Sequence, residues 1–131
     1  MIRPYGTDTA LGDLAMRLIA GNGLFIAMLE QIVGLSPEAV AALEGGCATP
    51  LKAAECERLA LFCAILIRFE IRLGHDPRAV REIIDTPQTA LDGRTPRAVM
   101  TDGLDGLRTV HRLVGGMALP ETRWWRVGHN R

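Results

Sequence analysis

The stretch Lys52-Ala53-Ala54-Glu55-Cys56-Glu57-Arg58-Leu59-Ala60-Leu61-Phe62-Cys63-Ala64-Ile65-Leu66-Ile67-Arg68-Phe69-Glu70-Ile71-Arg72-Leu73-Gly74 decides the fold. Leu59, Phe62, Leu66, Phe69 and Leu73 recur at alternating intervals of three and four, the period of an amphipathic helix, and Gly74 closes the run. Leu61, Ile65 and Ile67 make it apolar on further faces, so the spacing predicts a central helix over 52–73, surrounded by other helices or by a second copy of the chain. Leu59, Phe62, Ile65, Leu66 and Phe69 are the candidates for that core or dimer contact. The longest uncharged apolar run, Leu59 to Ile67, has nine residues, far short of the roughly 20 that cross a bilayer.

Working outward, helical signals continue on both sides. Leu11, Leu14, Ala15, Leu18 and Ile19 keep a helical period that ends at Gly21-Asn22-Gly23. Leu24, Phe25, Met28, Leu29, Ile32 and Val33 make an apolar stripe that stops at Gly34, predicting a second helix. Ser36-Pro37, Asp76-Pro77 and Thr95-Pro96 each place a capping oxygen before a proline, and predict helices from Pro37 to Leu43, Pro77 to Asp85 and Pro96 to Thr101. Thr86 to Arg94 reads as a loop, and Leu104, Leu107, Val110, Leu113 and Val114 mark a last helix. No run alternates with period two, so the chain is expected to be all-α. It divides into an N-terminal region (1–50), the central helix (51–74), a C-terminal helical part (75–116) and a tail (117–131).

Of 131 residues, 48% are hydrophobic, and Lys+Arg 15 balance Asp+Glu 15, which excludes a disordered polyelectrolyte or a polycation. The charge is uneven along the chain. Residues 21–57 set Lys52 against Glu30, Glu38, Glu44, Glu55 and Glu57, whereas 58–131 carry a net excess of Arg. All cations but Lys52 are Arg, whose planar fork suits fixed ion pairs and protein interfaces. Cys47, Cys56 and Cys63 show no zinc-ligand spacing, and with no secretory apolar segment at the N-terminus a reducing, cytoplasmic setting without metal or cofactor is expected.

The second and third predicted helices have helix-turn-helix spacing, with Gly34 at the turn and Leu35, Val40 and Leu43 at the corner. The chemistry argues against base reading, because Pro37-Glu38-Ala39-Val40-Ala41-Ala42-Leu43-Glu44 offers two carboxylates and no cation to a phosphate-lined groove. Arg3, Arg17, Lys52 and Arg58 are the candidate phosphate contacts. His75, His111 and His129 fall in no triad or metalloenzyme pattern, and Gly103-Leu104-Asp105-Gly106 is no phosphate loop. No catalytic residue is assigned, and the chain is expected not to be an enzyme.

Leu73 to Leu104, with Thr86-Pro87, Leu91-x-Gly93-x-Thr95-Pro96 and Asp102-Gly103, resembles the toxin-binding domain of the Xre/MbcA/ParS antitoxin family. Upstream, Ile32-Val33-Gly34-Leu35-Ser36 with Val40, Leu43 and Gly45 looks like the Xre-type helix-turn-helix, and Glu57-Arg58-Leu59 like the start of the linking helix. The resemblance covers about residues 24–114. It implies a dimeric, all-helical antitoxin that binds a RES-type, NAD-degrading toxin and blocks its cleft with its C-terminal region, in many relatives while repressing its own operon. Three departures stand out: Ile83-Ile84 where a Trp is common, a third helix without cations, and a continuation past Gly115-Gly116.

That continuation holds both Trp of the chain, Trp124 and Trp125, with Arg123, Arg126 and Arg131. Trp and Arg dominate interface hot spots, and large rings left in water are costly, so the tail is expected either to lid the core or to anchor a partner. Arg94, Arg97 and Arg108 are further interface candidates. The rival readings are a dimeric repressor on promoter DNA and a solitary helical adaptor that has lost its toxin.

Overall fold

The computed structural model describes residues 4–46 and 51–116. In chain order these form α1 (Pro4–Gly21), a π turn (Leu29–Val33), α2 (Pro37–Glu44), α3 (Ala53–Arg72), α4 (Pro77–Ile84), a 3-10 turn (Thr89–Leu91), α5 (Pro96–Met100) and α6 (Leu104–Gly116). The described residues contain no strand, so the fold is all-α.

α3 forms because its first turn is satisfied from both ends of a short loop of chain. The Lys52 amide donates to Glu55 Oε1 at 2.8 Å, and Glu55 and Glu57 oppose the positive end of the helix. Its far end unwinds through Gly74 (φ 69°) and His75 (φ 59°), with the His75 amide donating to the Glu70 carbonyl. Between these ends Leu59, Phe62, Ile65, Leu66, Phe69 and Leu73 are fully buried. α1, the π turn, α4 and α6 pack around them. Truncating a ring such as Phe62 removes about 3–5 kcal/mol in comparable cores. The five residues expected to serve core or dimer are therefore core, enclosed by the chain's own helices, and offer a second copy no surface. One continuous core runs from Ala15 on α1 to Val114 on α6, so the N-terminal, central and C-terminal segments share it.

The three cap-and-proline starts hold. Ser36 Oγ accepts from the Ala39 amide at 3.1 Å, Asp76 Oδ1 from Arg78 at 3.0 Å, and Thr95 Oγ1 from Ala98 at 3.1 Å.

The expected second helix, Leu24 to Val33, does not form as an α-helix. Its amides reach back three residues (Met28 to Phe25, Glu30 to Ala27), then four (Gln31 to Ala27), then five (Gly34 to Leu29). This progressive widening leaves a π turn that keeps Leu29, Ile32 and Val33 buried. The turn is closed by Gly34 at φ 81° and by Arg58, whose Nε donates to the Val33 carbonyl at 2.6 Å. A charged donor from α3 thus satisfies a carbonyl that a continuing helix would have paired. Asn22, almost wholly buried at the end of α1, donates to the Leu18 carbonyl and to Glu70 Oε2, both at 2.8 Å, while Arg81 donates to its carbonyl at 3.2 Å.

The backbones of α5 and α6 approach closely at Gly106, where a Cβ would collide with the Val99 carbonyl; Gly115 has open space. Gly106→Ala is expected to lower stability by about 1–3 kcal/mol in urea unfolding, and Gly115→Ala to change it by less than about 0.5 kcal/mol. Equal midpoints would refute this contact. Burial pushes the Cys63 thiol up to about 12, leaving roughly one molecule in ten thousand ionised at pH 8. Cys63 should therefore stay unlabelled by a thiol reagent in the folded protein and react once the chain unfolds, as read by mass spectrometry.

Candidate functional site

The segment that follows α3 is built on two corners. At the first, Thr89–Leu91 turns, Leu91 drops into the core, and Asp92 (φ 58°) and Gly93 (φ 83°) reverse the chain. The Gln88 amide then donates to the Arg94 carbonyl at 3.1 Å and the Gly93 amide to the Gln88 carbonyl at 2.9 Å. At the second, Gly103 (φ 97°) separates α5 from α6. Positive φ at both glycines gives the Leu91-x-Gly93-x-Thr95-Pro96 and Asp102-Gly103 marks a backbone cause: they position a plug, a reversal, a cap and a corner.

Between the corners lies an open depression of about 260 Å³, lined by Ala90, Leu91, Asp92, Arg94, Val99, Asp102, Asp105, Gly106 and Thr109. Three carboxylates and one guanidinium make it acidic, so it suits a donor or cationic group better than an anion. Sequence reasoning did not find this depression. Its signal was the pair of Asp-Gly steps at 92–93 and 102–103, each a reversal with an acid beside it.

The arginines expected to face a partner are engaged within the chain. Arg94 donates to Asp102 at 2.7 and 3.3 Å and to the Ala98 carbonyl at 3.1 Å, tying the first corner to the second. Arg97 takes Asp85 in a bidentate pair at 2.7 and 3.0 Å, fastening α5 to the end of α4. Arg108 reaches Glu57 at 3.0 Å, joining α6 to α3. Hydrogen-bonded carboxylates hold the Arg94 and Arg97 guanidiniums more firmly protonated than usual, and Arg94 in turn holds the Asp102 carboxyl below its ordinary range. The Arg94–Asp102 and Arg108–Glu57 pairs are about half-exposed and Arg97 is more buried than its partner Asp85; pairs with this much access to water set geometry more than stability.

Among the candidate phosphate contacts, Arg17 is exposed on α1, Lys52 is exposed at the start of α3, and Arg58 is half-buried against the π turn. The structure does not gather the three on the α2 surface, which carries Glu38 and Glu44. Arg3, Arg123, Trp124, Trp125, Arg126 and Arg131 lie outside the described residues. Among the described residues no group of three His, Cys, Asp or Glu side chains is placed to hold a metal ion, and no helix is long and apolar enough to cross a membrane.

No model of a known family matches the chain, and no curated protein sequence matches it.

Because Asp102 titrates below its ordinary value in the folded protein, its pairing with Arg94 is complete above the usual carboxylate range. The pairing is lost only as pH falls through the lowered value. Asp102→Asn at neutral pH is expected to speed hydrogen exchange at the Gly93 and Arg94 amides several-fold while leaving α3 amides unchanged. An unchanged rate at those two amides would show that the pair does not hold the corner.

Proposed function

We propose that this chain is an antitoxin of the Xre/MbcA/ParS kind, which neutralises a RES-type, NAD-degrading toxin by occupying its active-site cleft. One observation carries the reading: the residues on which the resemblance rests, from Thr86 to Gly103, are those that shape a single exposed unit at the C-terminal end of the core. Thr86 Oγ1 donates to the Glu82 carbonyl at 2.5 Å, closing α4, and Leu91, Gly93, Thr95 and Gly103 set the two corners. The resemblance therefore rests on residues that shape the backbone of this unit.

In this reading α3 is the spine, the α4–α6 unit is the platform on the toxin, and the depression between the corners receives a basic or hydrogen-bond-donating side chain at the rim of the cleft. Arg94, Arg97 and Arg108 hold the platform in shape through their carboxylate partners. Residues 121–131 enter or cap the cleft, with Trp124 and Trp125 as anchors and Arg123, Arg126 and Arg131 as charge complements, the residue types that concentrate binding energy at interfaces.

Co-expression with a RES-domain toxin tests this. The full chain should restore growth to toxin-arrested cells, and a chain shortened to end at Leu119 should restore little or none. Replacing both Trp124 and Trp125 by Ala should weaken the complex at least tenfold in a binding titration. Full-strength rescue by the shortened chain would remove the tail from the mechanism.

A further inference from the structure

The outward face of α3 carries a second apolar seam. Ala60, Ala64, Ile67 and Ile71 follow one another at intervals of four, three and four, on the side away from the buried Leu59, Phe62, Leu66 and Phe69; Ala60 and Ile71 are exposed, while Ala64 and Ile67 are half-buried, Ile67 resting on the edge of the core. Ile71, in the last turn of α3, is 60% exposed. Phe25, 70% exposed, stands at the same end: it lies three residues beyond Asn22, whose amide is bonded to Glu70, the neighbour of Ile71. Ala60 and Ala64 leave the other end of the seam shallow, because neither side chain extends beyond Cβ.

We infer that this seam is the seat of the chain's own C-terminal tail when no partner is bound, with Trp124 and Trp125 lying over Ala60 and Ala64. The exit point comes first. Arg72 Nη2 donates to the Gly115 carbonyl at 3.0 Å, so the last turn of α6 is fastened to the residue next to Ile71, and the chain leaves the described structure there. Reach comes second. The seam from Ile71 back to Ala60 is about 16 Å long at 1.5 Å per helical residue, whereas the eight residues from Gly116 to Trp124 span up to about 26 Å when extended.

Charge comes third. Arg123, the residue before Trp124, arrives beside Ala60, within one helical turn of Glu57. Glu57 is half-exposed and holds Arg108. Area decides between this occupant and a second copy. Four side chains along one helix, roughly 10 Å across, offer on the order of 160 Å², well below the ~800 Å² each partner contributes to a stable dimer. A tethered segment needs no such area, since its local concentration is set by the linker. The inference does not rest on the toxin reading, and adds to it one consequence: a partner must draw the tail off α3 before using it.

Both Trp of the chain are in the tail, so tryptophan fluorescence, excited selectively over Tyr5, reports on the tail alone. With the wild-type protein at submicromolar concentration, the indoles should emit as water-shielded rings and resist acrylamide. Ile71→Glu should move the emission to that of free tryptophan and raise the quenching constant several-fold, with helix content by circular dichroism unchanged. Ile71→Ser, a gentler change, should give the same direction should the charged variant fold poorly. Indoles as accessible as free tryptophan in the wild type would overturn the inference, and so would shielding that neither variant alters. Shielding that fades on dilution would assign the seam to a second copy instead.

Discussion

The burial of one face of α3 is the constraint on which the remaining structure depends. Leu59, Phe62, Ile65, Leu66, Phe69 and Leu73 lie on one face, and the helices on either side of α3 in sequence pack against that face, with Arg81 and the Asn22 carbonyl joining the two sides directly at one edge. α1 and the π turn arrive from the N-terminal side, α4 and α6 from the C-terminal side. None of these elements could bury its apolar face without another element to pack against. The α4–α6 unit and the N-terminal corner consequently share one core.

On this spine, polar contacts act as fasteners at points where the chain changes direction. Arg58 closes the π turn, Asn22 and Arg81 pin the end of α1, Arg94 joins two corners, Arg97 joins α5 to α4, and Arg72 ties the end of α6 to α3. Each uses a planar guanidinium or a buried amide to satisfy a carbonyl or carboxylate that regular helix cannot reach. The abundance of Arg, which in the sequence suggested interface chemistry, is in large part accounted for by this internal stitching among the described residues. With those side chains engaged, the acidic depression and the outer seam of α3 are left for recognition among the described residues.

What the sequence made legible was local. Ser36, Asp76 and Thr95 before proline marked helix starts because cap and proline act within one turn. The α3 seam was visible because a 3.6 period over twenty residues has no competing interpretation. The element over Leu24 to Val33 was misread as an α-helix, since its periodicity is helical while its hydrogen bonds are set by Gly34 and by Arg58, twenty-five residues away. The same limit hid the pairing of Arg108 with Glu57, fifty-one residues apart, and the depression, whose walls come from three elements. The choice between helices and a second copy around α3 depended on tertiary packing, and the chain's own helices cover Leu59, Phe62, Ile65, Leu66 and Phe69.

The proposed role is recognition, with α3 as spine, the α4–α6 unit as platform and the Trp- and Arg-bearing C-terminal segment directed to an enzyme's cleft. Direct inhibition measures that most plainly. A purified RES-domain toxin should consume NAD at a rate that falls linearly as the full chain is added and reaches zero at a fixed molar ratio, the signature of tight stoichiometric capture. NAD consumption that continues unchanged with the chain in large excess, with no complex formed on mixing, would contradict it.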